Sequence, residues 1–140
     1  ETRKIFRDSA TSFTVSIFAF DDDDSVTVSG VNKTTRPFYK YAASSISVSL
    51  SSHATGTGRT VTASADAFTS NQVGDYIEIN KKQGKITGFT SATEVTITII
   101  EDMVNTGPHF DWAEQSISTK RGFPQAVTFH SNSVFSTLFI

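Results

Sequence analysis

The sequence predicts an all-β fold, an antiparallel small barrel or sandwich of about six to nine strands with at most one short helix. Apolar and polar residues alternate in several segments, which is typical of strands that place one face on a core. Turn-forming residues separate these segments, as expected of antiparallel connections. The 140 residues fit one β domain, with an N-terminal arm or strand pair at 1–42, a β core at 43–105 and a return segment at 106–140.

The N-terminal part contains two predicted strands. Phe13–Ile17 alternates with period two, and residues 26–28 form a shorter candidate. The acidic run Asp21-Asp22-Asp23-Asp24 between them is interpreted as a solvated turn in preference to a cation site, because a Ca²⁺ loop needs about six to eight oxygens from a shaped turn. Residues 36–41 could belong to the arm or form the first edge strand of the core.

The β core is predicted from four segments with the same alternation, at residues 46–50, 60–63, 77–79 and 94–99. The last is the clearest, because apolar odd positions alternate with polar even positions throughout it. Connecting turns are predicted at residues 56–58, 81–84 and 90–92. The buried side of the strands is predicted to consist of Val15, Ile17, Ile46, Val48, Val61, Ile77, Ile79, Val95, Ile97 and Ile99.

The return segment contains the only Trp of the chain. A turn or two of helix is predicted at residues 108–116, because Pro108 suits the first helical position. Trp112 is expected to bury its ring against the β core while its indole N–H finds an acceptor. The structural anchor predicted for the segment comprises Trp112, Gly122, Phe123 and Pro124.

This segment also resembles part of a known family. Asp111-Trp112-Ala113-Glu114 and Arg121-Gly122-Phe123-Pro124-Gln125-Ala126-Val127-Thr128-Phe129-His130 are similar to a segment of the tail tubular, or nozzle, proteins of short-tailed bacteriophages. Residues 68–79 and 84–89 are less sharply similar, so the resemblance covers roughly residues 45–132. It implies a structural virion protein of the phage tail, found in the host cytoplasm during assembly. Family members form rings through which the genome passes, so the implied partners are other copies and other tail proteins.

The C-terminal end departs from that family, whose members continue with an Arg-Leu pair and a Gly-rich region. Here the chain ends in an apolar stretch with no charged residue after Arg121. Because an exposed apolar strand is a template for edge pairing, this stretch is predicted to pair with the β core or with the same segment of another copy, giving a homo-oligomer. The predicted interface residues are Phe135, Leu138, Phe139 and Ile140.

Composition and charge argue against several classes of function. A net charge of -2 with scattered basic residues argues against direct nucleic-acid binding by this chain. No apolar run approaches the roughly 20 residues of a membrane span. The chain has no Cys, so neither a disulfide nor a thiol site is expected. The sequence does not begin with Met, which suggests a processed product or a fragment of a longer protein.

Histidines and carboxylates do not form a constellation that predicts a metal site, a cofactor or catalysis. His53, His109 and His130 are far apart in sequence and lack ligand spacing. Asp75 with Glu78 and Asp111 with Glu114 are interpreted as surface charges rather than as a glycosidase pair. The predicted function is therefore structural assembly without enzymatic chemistry. The alternative is a β-sandwich binding module that recognises carbohydrate or a host-surface receptor, which an exposed aromatic platform would favour.

Overall fold

The secondary structure of the chain is almost entirely β. The computed structural model describes residues 3–17, 25–28, 31–34, 36–123, 126–130 and 133–137, and the predicted turn at Asp21–Asp24 lies outside them. Apart from a 3-10 turn at Ser70–Gln72, the regular elements in these ranges are strands, which confirms the predicted fold class. The strands are β1 (Arg3–Arg7), β2 (Phe13–Ile17), β3 (Ser25–Val28), β4 (Val31–Thr34), β5 (Phe38–Tyr39), β6 (Val48–Leu50), β7 (Gly56–Ala63), β8 (Tyr76–Ile79), β9 (Lys82–Ser91), β10 (Glu94–Ile99), β11 (Trp112–Gln115), β12 (Ala126–His130) and β13 (Ser133–Thr137).

Seven strands form one antiparallel sheet in the order β5-β11-β8-β9-β10-β7-β6. The β6 end of this sheet does not remain open. Val48 and His109 exchange backbone hydrogen bonds of 2.9 and 2.8 Å, and the Leu50 N–H donates to the Thr106 carbonyl at 2.7 Å. The segment before β11 therefore closes on β6, and the sheet curls back on itself like a barrel. Among the described residues, β5 is left as the outer edge of the sheet.

The hydrophobic core lies inside this sheet. Val48, Val61, Ile77, Ile79, Val95, Ile97 and Ile99 are buried there as predicted, and Ile46 packs partly buried against them. The prediction is wrong for Val15 and Ile17, which are exposed. Both lie on β2, whose partner among the described strands is β1 in a separate hairpin, so no described second layer packs on their apolar side. Two more hairpins, β3–β4 and β12–β13, are likewise separate sheets.

The three turns predicted in the β core are wholly or partly strand in the structure. The turn expected at 81–84 is a tighter one at Asn80 and Lys81, whose φ angles are 48° and 65°. Two positive φ values are what the right-handed twist of a two-residue hairpin requires. Gly84 then lies within β9, where an added Cβ would come within 3.0 Å of Ile97 Cδ1. The expected turn at 56–58 is the first part of β7, and β9 extends to Ser91, beyond the start of the third predicted turn.

The helix predicted at residues 108–116 is absent, and β11 occupies its second half. Trp112 and Glu114 pair with Ile79 and Ile77 of β8, and β5 pairs with β11 on its other side. Tertiary pairing on both sides outweighs the weak helix signal of Pro108. Residues 36–41 contain β5 and so contribute the edge strand of the main sheet. No helix in the described part of the chain is long and apolar enough to cross a membrane.

Candidate functional site

The β1–β2 hairpin presents an apolar face that no described residue covers. Arg3 pairs with Ile17, Ile5 with Val15 and Arg7 with Phe13, and directly opposite residues share a face of the ribbon. Ile5, Phe13, Val15 and Ile17 are 69%, 61%, 55% and 50% exposed. We call the surface formed by these four residues with Arg3 and Arg7 the arm face.

The tip of this hairpin is held in shape by its own hydrogen bonds. The Asp8 N–H donates to the Ser12 carbonyl at 2.9 Å, and the Thr14 hydroxyl donates to the Asp8 carboxylate at 2.6 Å. The Arg7 guanidinium donates to the Ser9 carbonyl at 2.9 Å and to the Ala10 carbonyl at 3.3 Å. The arm face is thus preformed, which lowers the ordering cost of binding a partner.

A two-stranded ribbon with an uncovered apolar face lacks the packing that would stabilise it by itself. A two-stranded hairpin in water is marginally stable, and independent stability needs a further strand or a packed face. Scattered exposed apolar residues are ordinary, whereas a contiguous apolar face marks an interaction site. The arm face is therefore the best candidate for an interface in the described chain.

The predicted anchor residues differ in their surroundings. Trp112 is 1% exposed, its indole N–H donates to the Ile46 carbonyl at 2.9 Å, and its ring centroid lies 6.0 Å from that of Phe68. Gly122 has a φ of 92° and exchanges backbone hydrogen bonds with Ser118, which closes a turn. Phe123 is half-buried. Pro124 lies outside the described residues.

The predicted C-terminal interface is described only in part. Residues 133–137 pair with β12, with Phe135 opposite Thr128, rather than with a strand of the β core. A local hairpin has a small loop-closure cost, which explains this pairing. Leu138, Phe139 and Ile140 lie outside the described residues, so the interface at Phe135 and these three positions stays a prediction.

A buried carboxylate organises the return segment. Glu114, on β11, is 3% exposed, so it is not the surface charge predicted from sequence. Its carboxylate accepts hydrogen bonds from Arg121 Nη2 at 2.8 Å and Gln72 Nε2 at 2.9 Å, and Lys120 Nζ lies 3.0 Å away. We call Gln72, Asp75, Glu114, Lys120 and Arg121 the Glu114 network.

Asp75 is the second carboxylate of this network, and its pKa is raised to about 6. Burial is the main cause, and the charge of Glu114 adds to it. The charges of Arg36 and Lys120 and a hydrogen bond with the Ser118 side chain act in the opposite direction. Burial also lowers the pKa of Lys120.

The four carboxylates interpreted from the sequence as surface charges differ in their exposure, since Asp75 and Glu78 are half-buried. Asp111 is exposed, and the partners of Glu114 are Gln72 and two cations of the return segment. Glu78 instead forms an ion pair with Lys81 at 3.3 Å on the surface. Because its oxygens are occupied and buried, Glu114 is not accessible to a substrate, and the network joins residues 116–123 to the sheet. Sequence reasoning did not assign Gln72 and Lys120 to Glu114, because Gln72 is 42 residues away and no residue pattern marks Lys120 as a partner.

The histidines have separate roles. His109 is buried, with Nδ1 2.7 Å from the Asn80 amide nitrogen and Nε2 3.0 Å from the Asn105 carbonyl. It is a structural residue of the closing segment. His53 is exposed, and nothing is described of the His130 side chain. The described residues contain no group of three or more His, Cys, Asp or Glu side chains that could hold a metal ion.

Two tyrosines form an exposed aromatic pair beside the Glu114 network. The rings of Tyr39 and Tyr41 are 4.9 Å apart at an interplanar angle of 66°, and the Arg121 guanidinium lies 4.1 Å from the Tyr41 centroid. An edge-to-face pair does not make the flat platform expected of a carbohydrate-binding module. It does place aromatic surface at the outer edge of the sheet.

No protein-family model, curated protein or solved structure matches this chain significantly. The resemblance to phage tail tubular proteins therefore stays a prediction, and the function is inferred from the surfaces described above.

Proposed function

We propose that this chain is a structural assembly protein that binds other copies of itself through exposed β surfaces and performs no chemistry. The observation that carries the proposal is the arm face, where four large apolar side chains on a preformed ribbon are half-exposed or more. Burying them would stabilise an assembly through the hydrophobic effect, at about 25 cal/mol per Å² of apolar surface. The Glu114 carboxylate is buried and bonded to Gln72, Lys120 and Arg121. These contacts hold the return segment on the sheet, which fits a structural role.

The test compares the oligomeric state of the wild type with that of a chain carrying Val15→Thr and Ile17→Thr. Threonine retains the β-branched shape, so the hairpin itself should persist. Light scattering over a concentration series should give an oligomer for the wild type and a shift toward monomer for the variant. Val73→Thr, at another exposed apolar residue, is the matched control and should behave as the wild type. A wild type that is monomeric at every concentration contradicts the proposal.

The setting proposed for this assembly is a bacteriophage virion, as a component of the tail. It is supported by the Trp112 region and the Arg121-Gly122-Phe123-Pro124 turn, which resemble tail tubular proteins. The other tail proteins would then be further partners. Purified particles should contain this chain in a fixed ratio to the other tail components, as measured by quantitative mass spectrometry. Absence from the particles would remove the virion setting while leaving self-assembly untouched.

A binding module for carbohydrate or a host-surface receptor is the second candidate. The observation in its favour is the single ring of Tyr39, which is 62% exposed at the outer edge of the sheet, because the edge-to-face pair with Tyr41 does not form a flat platform. Aromatic rings in such positions can stack on sugar faces and anchor interfaces. If this reading holds, Tyr39→Ala should abolish retention on a glycan array, whereas Phe89→Ala, at another exposed ring, should not.

A further inference from the structure

The arm that carries the exposed apolar face is positively charged. Residues 3–17 contain Arg3, Lys4 and Arg7 against the single acid Asp8. Arg3 and Arg7 lie on the arm face itself, four residues apart and hence about 13 Å along the strand. A surface that covers the arm face must therefore offer apolar contact together with negative charge.

The loop between β10 and β11 has this complementary character. Residues 100–111, here called the acidic loop, contain Glu101, Asp102 and Asp111 and no Lys or Arg. Val104 and Phe110 of this loop are 65% and 56% exposed. Other exposed apolar residues, such as Val73 after the 3-10 turn and Phe89 on β9, do not lie in a segment with three acids and no Lys or Arg.

Three lysines near the acidic loop offset part of its negative charge, and one of them, Lys40, donates from Nζ to the Phe110 carbonyl at 2.5 Å. Lys82 lies 2.9 Å from Glu101, which is buried, and Lys81 pairs with Glu78. Asp102 and Asp111 remain exposed on the loop. Lys81 lies within electrostatic reach of Asp111, and Lys82 within reach of Asp102. Glu78, Glu101, Asp102 and Asp111 outnumber Lys40, Lys81 and Lys82 by one, so a net negative charge is left for an approaching basic surface.

The backbone of the acidic loop is fixed. The Thr55 N–H donates to Asp102 Oδ1 at 2.7 Å, and the Met103 N–H donates to the His53 carbonyl at 2.7 Å. Thr106 and His109 hold the loop on β6 through the hydrogen bonds that close the sheet. The loop thus presents its exposed side chains from a rigid frame, as a docking site requires.

We infer that the arm face of one copy binds the acidic loop of a second copy, and that the exchange is reciprocal; this rests on the proposed self-assembly. The arm face is exposed in the single chain, so it does not cover its own loop. A ribbon of five residue pairs measures about 17 by 10 Å, so covering one face gives a footprint of about 170 Å² on each partner. One such contact is far below the roughly 1,200 Å² of a standard interface, and a reciprocal exchange makes it twice, which gives about 700 Å² in all and places the dimer in the class of weak interfaces. The product is a two-fold symmetric dimer.

A charge-exchange experiment tests this pairing. One full-length variant carries Arg3→Glu and Arg7→Glu, and a second carries Asp102→Lys and Asp111→Lys. Each alone brings like charges together at both contacts, so each should be monomeric by light scattering at concentrations where the wild type is dimeric. An equimolar mixture pairs every reversed arm with a reversed loop and every native arm with a native loop, and should restore the dimer mass.

Controls separate folding from binding. Asp66→Lys, at an exposed acid outside the loop, makes the same kind of charge change and should leave the dimer intact. Because Asp102 accepts a hydrogen bond from Thr55, a version carrying only Asp111→Lys, mixed with an Arg3→Glu partner, repeats the test if the double variant unfolds.

The outcomes distinguish this inference from the proposed function. Restoration of the dimer only in the mixture supports the reciprocal contact. Variants that remain dimeric, or a mixture that remains monomeric, overturn it. In the first of those cases self-assembly still stands if Val15→Thr with Ile17→Thr disrupts the oligomer. A wild type that is monomeric throughout overturns both.

Discussion

Asp75 is the residue whose ionisation is most altered by the fold. Its folded pKa of about 6 exceeds its ordinary value of 3.8, so protonation stabilises the folded state. This contribution is complete below about pH 3.8 and is lost as the pH rises through about 6. Above that pH the ionised carboxylate costs stability, which the partial exposure of the group limits to an order of 1 kcal/mol after solvent screening.

Asp75→Asn should therefore stabilise the protein at neutral pH. We expect the variant to exceed the wild type in unfolding free energy near pH 7–8, with the difference shrinking as the pH falls toward about 4. Urea unfolding across this pH range measures it. A difference that is constant with pH, or that grows on acidification, would contradict the assignment of the raised pKa to this carboxyl.

Glu114 should behave in the opposite way, because it is the counterion of two partly buried cations. Glu114→Gln leaves Lys120 and Arg121 without their carboxylate and should lower the unfolding free energy by about 2–4 kcal/mol. Glu78→Gln removes a carboxylate from a more exposed ion pair and should change stability little. Equal losses in the two variants would mean that the Glu114 network does not hold the return segment.

At the level of elements, the strands that could be predicted from the sequence are those with one face on the core and the other face in solvent. β10 alternates fully because Val95, Ile97 and Ile99 face the core and the residues between them do not. β9 was not predicted from the sequence, because Gly84 and the register shifts opposite β10 interrupt its alternation of apolar and polar residues. β11 was not predicted from the sequence either. Both of its sides are covered, so its polar residues Glu114 and Gln115 are buried and hydrogen-bonded.

Burial of the β10 face sets the cost of truncating it. Ile97 is fully buried between β7 and β9, so Ile97→Ala should lower the unfolding free energy by about 2–5 kcal/mol through lost contacts and a residual cavity. Val15 lies on β2, which has the same alternation of apolar and polar residues, but it is exposed. Val15→Ala should therefore lower the unfolding free energy of the monomer far less. Denaturant unfolding of both variants checks the comparison, and a loss below about 0.5 kcal/mol for Ile97→Ala would place that face in solvent.

At the scale of the whole molecule, the β1–β2 hairpin shows what the alternation of apolar and polar residues does not predict. The alternation of Phe13–Ile17 correctly predicts a strand, yet it cannot tell which surface the apolar side meets, because that depends on the partner strands. The Glu114 network was unpredictable for the same reason. Its members come from residues 72, 75, 114, 120 and 121, and only the folded sheet brings them together.

The hydrogen bonds between β6 and residues 106–109 have a consequence for how far this protein can polymerise. The backbone groups of β6 on that side are already hydrogen-bonded to residues 106–109. β5 is therefore the place in the described sheet where a foreign strand can be added. Two sheets joined edge to edge at β5 would each have used their available edge. Among the described strands, pairing through the main sheet would then stop at two chains, whereas the separate β1–β2, β3–β4 and β12–β13 ribbons keep edges of their own.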